Sequence, residues 1–142
     1  MTNRRAKILE IITLFTLGAS IYCVLEVIWR GYTHWSMAVA GGASLCALGR
    51  CRDKLRKRSF FTRCIAGAGI ITAIEFLTGC IVNLWLGWAV WDYSHQELNI
   101  LGQVCPQFFC LWMLLCIPGY AICRVVRDIR EMIQYDIPSD AL

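Results

Sequence analysis

The chain has too few charged residues to cover the surface of a soluble protein. Only 17% of its 142 residues are Asp, Glu, Lys or Arg, whereas soluble domains average about a quarter. Histidine occurs twice and proline three times, so imidazole ligands and helix-breaking residues are both scarce. Hydrophobic residues, in contrast, make up 58% of the chain. This balance excludes an ordinary soluble domain and predicts an integral membrane protein.

Several chemical motifs are also missing from the sequence. It has no GxxxxGK phosphate-binding loop, so ATP hydrolysis would have to come from another chain. The nine cysteines are odd in number, include no CxxC pair and fall mostly inside apolar runs. We interpret them as small packing residues. Without a nucleophile–base pair or a metal-ligand spacing, we expect no enzyme activity, no metal and no cofactor.

Four apolar runs predict an all-α polytopic membrane protein, with one membrane domain occupying residues 1–142. The predicted transmembrane helices cover residues 8–29, 35–49, 64–86 and 99–123. The first, third and fourth reach the roughly 20 residues that a bilayer requires, whereas the second is short. The remaining segments are a basic loop at 50–63 and a tail at 124–142.

Basic residues fall on one side of this topology. Thirteen of the fourteen Lys and Arg residues precede the first helix, lie in the 50–63 loop or follow the fourth helix, and the exception is Arg30. The positive-inside rule therefore predicts a multi-pass protein of the cell membrane with the loop, the tail and both termini in the cytoplasm. Contact with anionic lipid explains the basic loop, so we expect no nucleic-acid partner.

Polar residues interrupt the apolar runs at helical spacing. Glu75 lies near the middle of the third helix, where a charge costs about 3 kcal/mol. It shares a predicted face with Asn83, and the fourth helix would align its own amides every four residues. In one interpretation these residues line a substrate or ion path. In the other, Glu75 is protonated, or bonds to Gln103 or Gln107, and only joins helices. The candidate path residues are Glu26, Glu75, Asn83, Asn99, Gln103 and Gln107.

Two further features lie near the predicted outer surface. Glu26 precedes Arg30 by four residues, in the order that favours an ion pair. The two outer connections are rich in aromatic residues, as interfacial belts are, and they also contain His34, Asp92 and Tyr93. These three are candidates for an outer mouth; alternatively, Asp92 caps a short turn.

A weak internal repeat suggests a parallel duplication of a helix hairpin. The segment "LEVIWRG" followed by "GYTHWS" matches "IEFLTG" followed by "WDYSHQ". If the halves are equivalent, Glu26 and Glu75 correspond. Small residues recur every four positions along the second helix, at Ala38, Gly42 and Cys46, and would allow a second copy to approach closely.

Five segments resemble a known family. The segment around Glu26, "GYTHWSM" with the "GG" that follows it, "IEFLTGCIVN", "WDYS" and "NILGQVCPQFFCLW" are similar to the ABC-transporter type IV, or ABC-transporter permease-like, family of small four-helix membrane proteins. The resemblance covers about residues 20–120. The resemblance implies an integral membrane protein that is a small transporter or permease-like subunit. Four helices rarely enclose a path alone, so we also expect a homo-oligomer or a partner, such as a separate ATPase. The alternatives are a structural or assembly protein whose polar stripes only join helices, and a lipid-modifying enzyme with Glu75 or Asp92 as its acid–base group.

Overall fold

The computed structural model describes residues 3–135, which fold into four α-helices with no β-strand among them. The helices are α1 (Asn3–Arg30), α2 (Trp35–Lys54), α3 (Phe60–Gly79) and α4 (Pro106–Tyr135). A π-helical segment, Cys80–Trp85, continues directly from α3. The prediction of an all-α chain is confirmed for this part of the protein.

Three of the described helices are long and apolar enough to cross a membrane, judged by length and composition alone. They are Arg4–Arg30, Phe60–Trp85 and Pro106–Gln134, each of which contains an 18-residue stretch with a mean hydropathy of 2.1, 2.0 and 1.9, respectively. Large hydrophobic side chains such as Ile12, Leu77 and Leu114 are exposed along them, as lipid-facing residues are. α2 falls short because its last turns contain the charged residues Arg50, Arg52, Asp53 and Lys54. These features are compatible with a multi-pass membrane protein.

Glycines let α1 and α2 pack closely. A Cβ added at Gly41 would lie 2.3 Å from the Cβ of Tyr22 and 2.6 Å from the carbonyl oxygen of Gly18. One added at Gly42 would lie 2.7 Å from the ring of Phe15. Such contacts are typical of small-residue interfaces between membrane helices. Because α1 of the same chain covers Gly42, this face of α2 does not offer a second copy the contact that its small residues suggested.

α4 begins at Pro106 rather than at Asn99, so the predicted helix over 99–123 is wrong in its first part. The backbone at Leu98, Leu101 and Gly102 has φ angles of +55°, +52° and +68°. A right-handed helix cannot contain this left-handed conformation. Pro106 suits the first turn of a helix, where an N–H has no intrahelical acceptor. Residues 86–105 therefore form a loop, here called the cap loop. The four-residue spacing of its amides predicted a helix, but spacing alone does not make a segment helical.

The basic loop is shorter than predicted, because helices occupy most of residues 50–63. α2 continues to Lys54 and α3 begins at Phe60, where the backbone N–H of Thr62 donates to the hydroxyl of the N-capping Ser59 at 3.2 Å. Much of the predicted 124–142 tail continues α4, and residues 136–142 lie outside the described part. The bundle thus has a basic end near residues 55–59 and an opposite end, here called the distal end, at residues 31–34 and the cap loop.

Candidate functional site

Glu75 lies in the core, where it joins three helices. Its side chain is 2% exposed. The hydroxyl of Tyr22 on α1 donates to Oε1 at 2.5 Å, and the indole N–H of Trp112 on α4 donates to Oε2 at 2.6 Å. The two aromatic rings stack with their centroids 5.6 Å apart. Both carboxylate oxygens are therefore occupied by partners from neighbouring helices, and those partners are aromatic rather than the expected Gln103 or Gln107.

Asn83 and Gln103 attach the cap loop to α3. The side-chain N–H of Asn83 donates to Gln103 Oε1 at 2.8 Å, and the backbone N–H of Val90 donates to Asn83 Oδ1 at 2.7 Å. The Trp91 indole donates to the carbonyl of Gln103 at 3.0 Å. Gly79 makes this possible, because a Cβ there would lie 2.4 Å from Gln103 Oε1. These amides hold the loop and do not form a stripe with Glu75.

The other two amides of the predicted stripe are also apart from Glu75. Asn99 organises the cap loop: its side-chain N–H donates to the carbonyl of Gln96 at 2.8 Å, and its oxygen accepts from the backbone N–H of Gly102 at 2.9 Å. Gln107 is exposed in the first turn of α4. The structure therefore brings Asn83 and Gln103 together but does not place Asn99, Gln103 and Gln107 on one face.

Glu26 and Arg30 form the predicted ion pair at the distal end of α1, with Nη2 2.7 Å from Oε1. The hydroxyl of Thr33 donates to the other Glu26 oxygen at 2.7 Å. Arg30 also donates from Nη1 to the carbonyl of Val90 at 2.5 Å, and its guanidinium lies 4.4 Å from the ring centroid of Tyr32. This network connects α1 to the cap loop.

A cavity of about 410 Å³ opens at the distal end, beside this ion pair. Tyr22 and Trp112, whose polar atoms bond to Glu75, lie on its lining, so the core carboxylate is behind the wall and not within it. Half of the lining is aromatic, and charged groups come from both α1 and the cap loop. The lining residues with rings or charges are Tyr22, Glu26, Trp29, Arg30, Tyr32, Trp91, Asp92, Tyr93, Phe108 and Trp112.

Asp92 and Tyr93 are at this cavity. Asp92 caps its own turn: it accepts from the backbone N–H of Ser94 at 2.8 Å and from the Ser94 hydroxyl at 2.9 Å. The backbone hydrogen bond holds the pKa of Asp92 below its usual range. Tyr93 stacks on Phe108 with centroids 4.4 Å apart, and burial raises the pKa of its hydroxyl. Asp92 therefore caps its own turn, as the alternative interpretation predicted, and also lies on the cavity lining.

His34 lies elsewhere and does not join Asp92 at the cavity lining. Its Nδ1 accepts from the backbone N–H of Ser36 at 3.3 Å and so caps the N-terminus of α2. The imidazole ring packs 5.5 Å from the centroids of Trp35 and Trp88. A mouth built by His34 together with Asp92 and Tyr93 is therefore not what the structure shows.

A second buried charge, missed in the sequence, is at the basic end. Glu10 is 8% exposed and accepts from Arg127 Nη2 at 3.0 Å and from Arg130 Nη1 at 2.6 Å. Arg127 also pairs with Asp53 on α2. The positive-inside rule already accounts for Arg127 and Arg130, so neither residue required an acidic partner. Glu10 is 117 and 120 residues away from them in the chain, so no spacing pattern links it to α4. The one available clue was an acid placed early in an apolar run.

A family model described as "Putative ABC-transporter type IV" matches residues 3–139. The chain belongs to this family. The match covers all four helices, the cap loop and the cavity lining, and it confirms the resemblance seen in the shorter segments. Comparison with curated proteins finds no match, and neither does comparison with solved structures.

Proposed function

We propose that this protein is a permease-like subunit of an ABC-type transporter that spans the cell membrane four times. Family membership and three apolar helices support a transport-related membrane protein. α2 would be the fourth span, since 20 residues at 1.5 Å each extend about 30 Å, the thickness of a bilayer core. The one-sided distribution of Lys and Arg supports cytoplasmic termini and an extracytoplasmic distal end.

The distal cavity is the observation that carries this proposal. Its volume of about 410 Å³ is within the roughly 300–1,000 Å³ typical of small-molecule sites. Its lining is mostly apolar, with a few charged groups that are fixed by hydrogen bonds and could orient a ligand. We therefore propose the cavity, rather than a path through Glu75, as the substrate site. Of the residues predicted for a path, it includes Glu26.

In this proposal Glu75 positions the cavity wall. Its carboxylate holds the hydroxyl of Tyr22 and the indole of Trp112, and both residues line the cavity. The chain itself would not be an enzyme, because Glu75 lies behind the wall and Asp92 is occupied by its own turn. Glu26 and Glu75 would then have different functions, even if the two hairpins arose by duplication.

Energy would come from a separate ATPase subunit, since this sequence has no phosphate-binding loop. The basic end, which would face the cytoplasm, is where such a subunit could contact the chain. Four helices enclose little space between them, so we propose that a second copy or another membrane subunit completes the transport path.

A structural or assembly function is the second candidate. It is favoured by Glu75 and Glu10, two buried acids whose oxygens each bond to other helices. Such contacts are used to stabilise membrane helix bundles and require no ligand. Under this function, filling the distal cavity would leave activity in cells unchanged.

Native mass spectrometry of protein extracted in mild detergent from its own cells tests the proposal. We expect a bound organic molecule and an ATPase chain. Leu111→Trp, which adds an indole to the cavity lining, should abolish the bound molecule. Leu114→Trp is the matched control, because Leu114 is on α4 but exposed and outside the lining. Equal ligand content in both variants would contradict the assignment of the cavity.

A further inference from the structure

We propose that the distal cavity binds an organic cation, such as a quaternary or protonated amine on a compact apolar body. This inference rests on the proposed function, because it names the substrate class of the same cavity. It follows from the aromatic lining, from the balance of fixed charge around it and from a cation that the protein already holds there.

Aromatic rings dominate the surface that a ligand would touch. Seven of the fourteen lining residues are Trp, Tyr or Phe, contributed by α1, the connection between α1 and α2, α4 and the cap loop. The faces of such rings carry partial negative charge and attract ammonium groups within about 6 Å of the ring centre. Cages of this kind select a cation over an uncharged molecule of the same shape, because apolar contact alone would serve both equally.

The charged residues of the lining favour the same sign. They are two carboxylates, Glu26 and Asp92, and one guanidinium, Arg30, so the lining carries one net negative charge. The charge of Arg30 is balanced by Glu26 at 2.7 Å. Asp92 is exposed and bonds only to uncharged groups of Ser94, so no ion pair balances its charge on the lining. An incoming cation would supply that balance.

Arg30 shows that the cavity wall already accommodates a positive group. Its guanidinium lies 4.4 Å from the centroid of the Tyr32 ring, while Nη1 donates to the carbonyl of Val90. Both groups come from the segments that border the cavity. The neighbouring rings of Tyr93 and Phe108 stack with their centroids 4.4 Å apart, so each ring holds the other in place on the lining. This preformed wall requires little rearrangement on binding.

A pair of isosteric probes tests the inference on the full chain in maltoside micelles, which contain no ammonium groups. Choline and 3,3-dimethyl-1-butanol have the same shape and differ in whether nitrogen or carbon is at the branch point. Isothermal titration calorimetry should show choline binding at least about tenfold more tightly. Equal affinities, or tighter binding of the alcohol, would overturn the proposal.

Two acid-to-amide variants identify the charge responsible. Asp92→Asn keeps an acceptor for the Ser94 N–H but removes the unbalanced charge, so most of the preference for choline should be lost. Glu97→Gln removes an exposed acid of the same loop that is outside the lining, and the preference should remain. If the two variants have the same effect, general attraction of cations explains the binding and the inference fails.

The outcomes separate this inference from the proposed function. If both probes bind equally and Leu111→Trp abolishes both, the cavity is a ligand site without selectivity for cations. If neither probe binds and no molecule is found on the extracted protein, the cavity assignment fails as well. If choline binds preferentially, its source in the cell is either a lipid headgroup or a free cation, and added phosphatidylcholine distinguishes the two. Displacement of choline by phosphatidylcholine, but not by the control lipid phosphatidylglycerol, indicates a lipid headgroup. Retention of choline indicates a free cation.

Discussion

Removing the Glu75 carboxylate should uncouple α1 and α4 from α3. Glu75→Ala eliminates the two hydrogen bonds from Tyr22 and Trp112. Each interhelical bond in a membrane protein contributes about 0.6–2 kcal/mol, so we expect the free energy of unfolding to fall by about 1–4 kcal/mol. Glu75→Gln should cost less than about 1 kcal/mol. Its oxygen can still accept from the Trp112 indole, and its N–H can donate to the Tyr22 oxygen.

A double-mutant cycle measures the coupling directly. Tyr22→Phe alone leaves Glu75 Oε1 without its partner and should cost about 1–3 kcal/mol. In the Glu75→Ala background the same change should cost almost nothing, because the acceptor is already absent. Tyr32→Phe is the control: Tyr32 is 57% exposed and its ring, which contacts Arg30, is retained. Unfolding by sodium dodecyl sulfate in mixed micelles provides the free energies. If Tyr22→Phe costs the same in both backgrounds, the bond to Glu75 does not stabilise the bundle.

Three further predictions concern the rest of the bundle. Gly41→Ala should destabilise the protein by about 1–3 kcal/mol, because the new methyl would meet Tyr22. Gly69→Ala should be tolerated, because a Cβ there has no neighbour within 4 Å. Thermal unfolding of both variants checks this, and equal losses of stability would contradict the close contact at Gly41. Glu10→Gln should lower the free energy of unfolding by about 1.5–3 kcal/mol, because it weakens bonds to two arginines. Glu131→Gln changes a side chain that is 60% exposed and should lower it by less than about 1 kcal/mol. Unfolding in mixed micelles measures both losses, and similar values would refute the buried cluster. The Asp92 turn should persist at neutral pH and loosen only below the usual aspartate pKa of about 3.9. The pKa of Asp92 is lowered in the folded state, so the turn loses stability as the pH falls through that lowered pKa. The NMR shift of the Ser94 amide should titrate in this acidic range, and should not titrate in Asp92→Asn.

Local signals in the sequence were sufficient for the helical fold. Long apolar runs predicted the three helices that qualify as spans, and the i,i+4 spacing predicted the Glu26–Arg30 pair, because both depend on residues close in the chain. The position of α2 was visible too, although its hydropathy is too low to identify it as a span. The family resemblance in the shorter segments was also correct.

The predictions that failed, the amide stripe and the partners of Glu75, depended on contacts between distant residues or on backbone conformation. Helical spacing wrongly placed Asn99, Gln103 and Gln107 on one helix. The positive φ angles at Leu98 and Leu101 prevent a helix there, and nothing in the sequence indicated them because neither position is a glycine. The partners of Glu75 come from 53 and 37 residues away, and both are aromatic residues that the composition groups with the hydrophobic ones. Their polar tips, a hydroxyl and an indole N–H, were the signal that a periodicity argument ignores.

Photo-crosslinking in the protein's own cells would test the central claim, that the distal cavity holds a ligand. The photoreactive residue p-benzoylphenylalanine would replace Phe108 on the lining, with Phe61, an exposed residue of α3 outside it, as control. After irradiation, mass spectrometry of the purified chain identifies the adducts. We predict an organic adduct at position 108 that is absent at position 61. The same bulk phospholipid adducts at both positions would contradict the account.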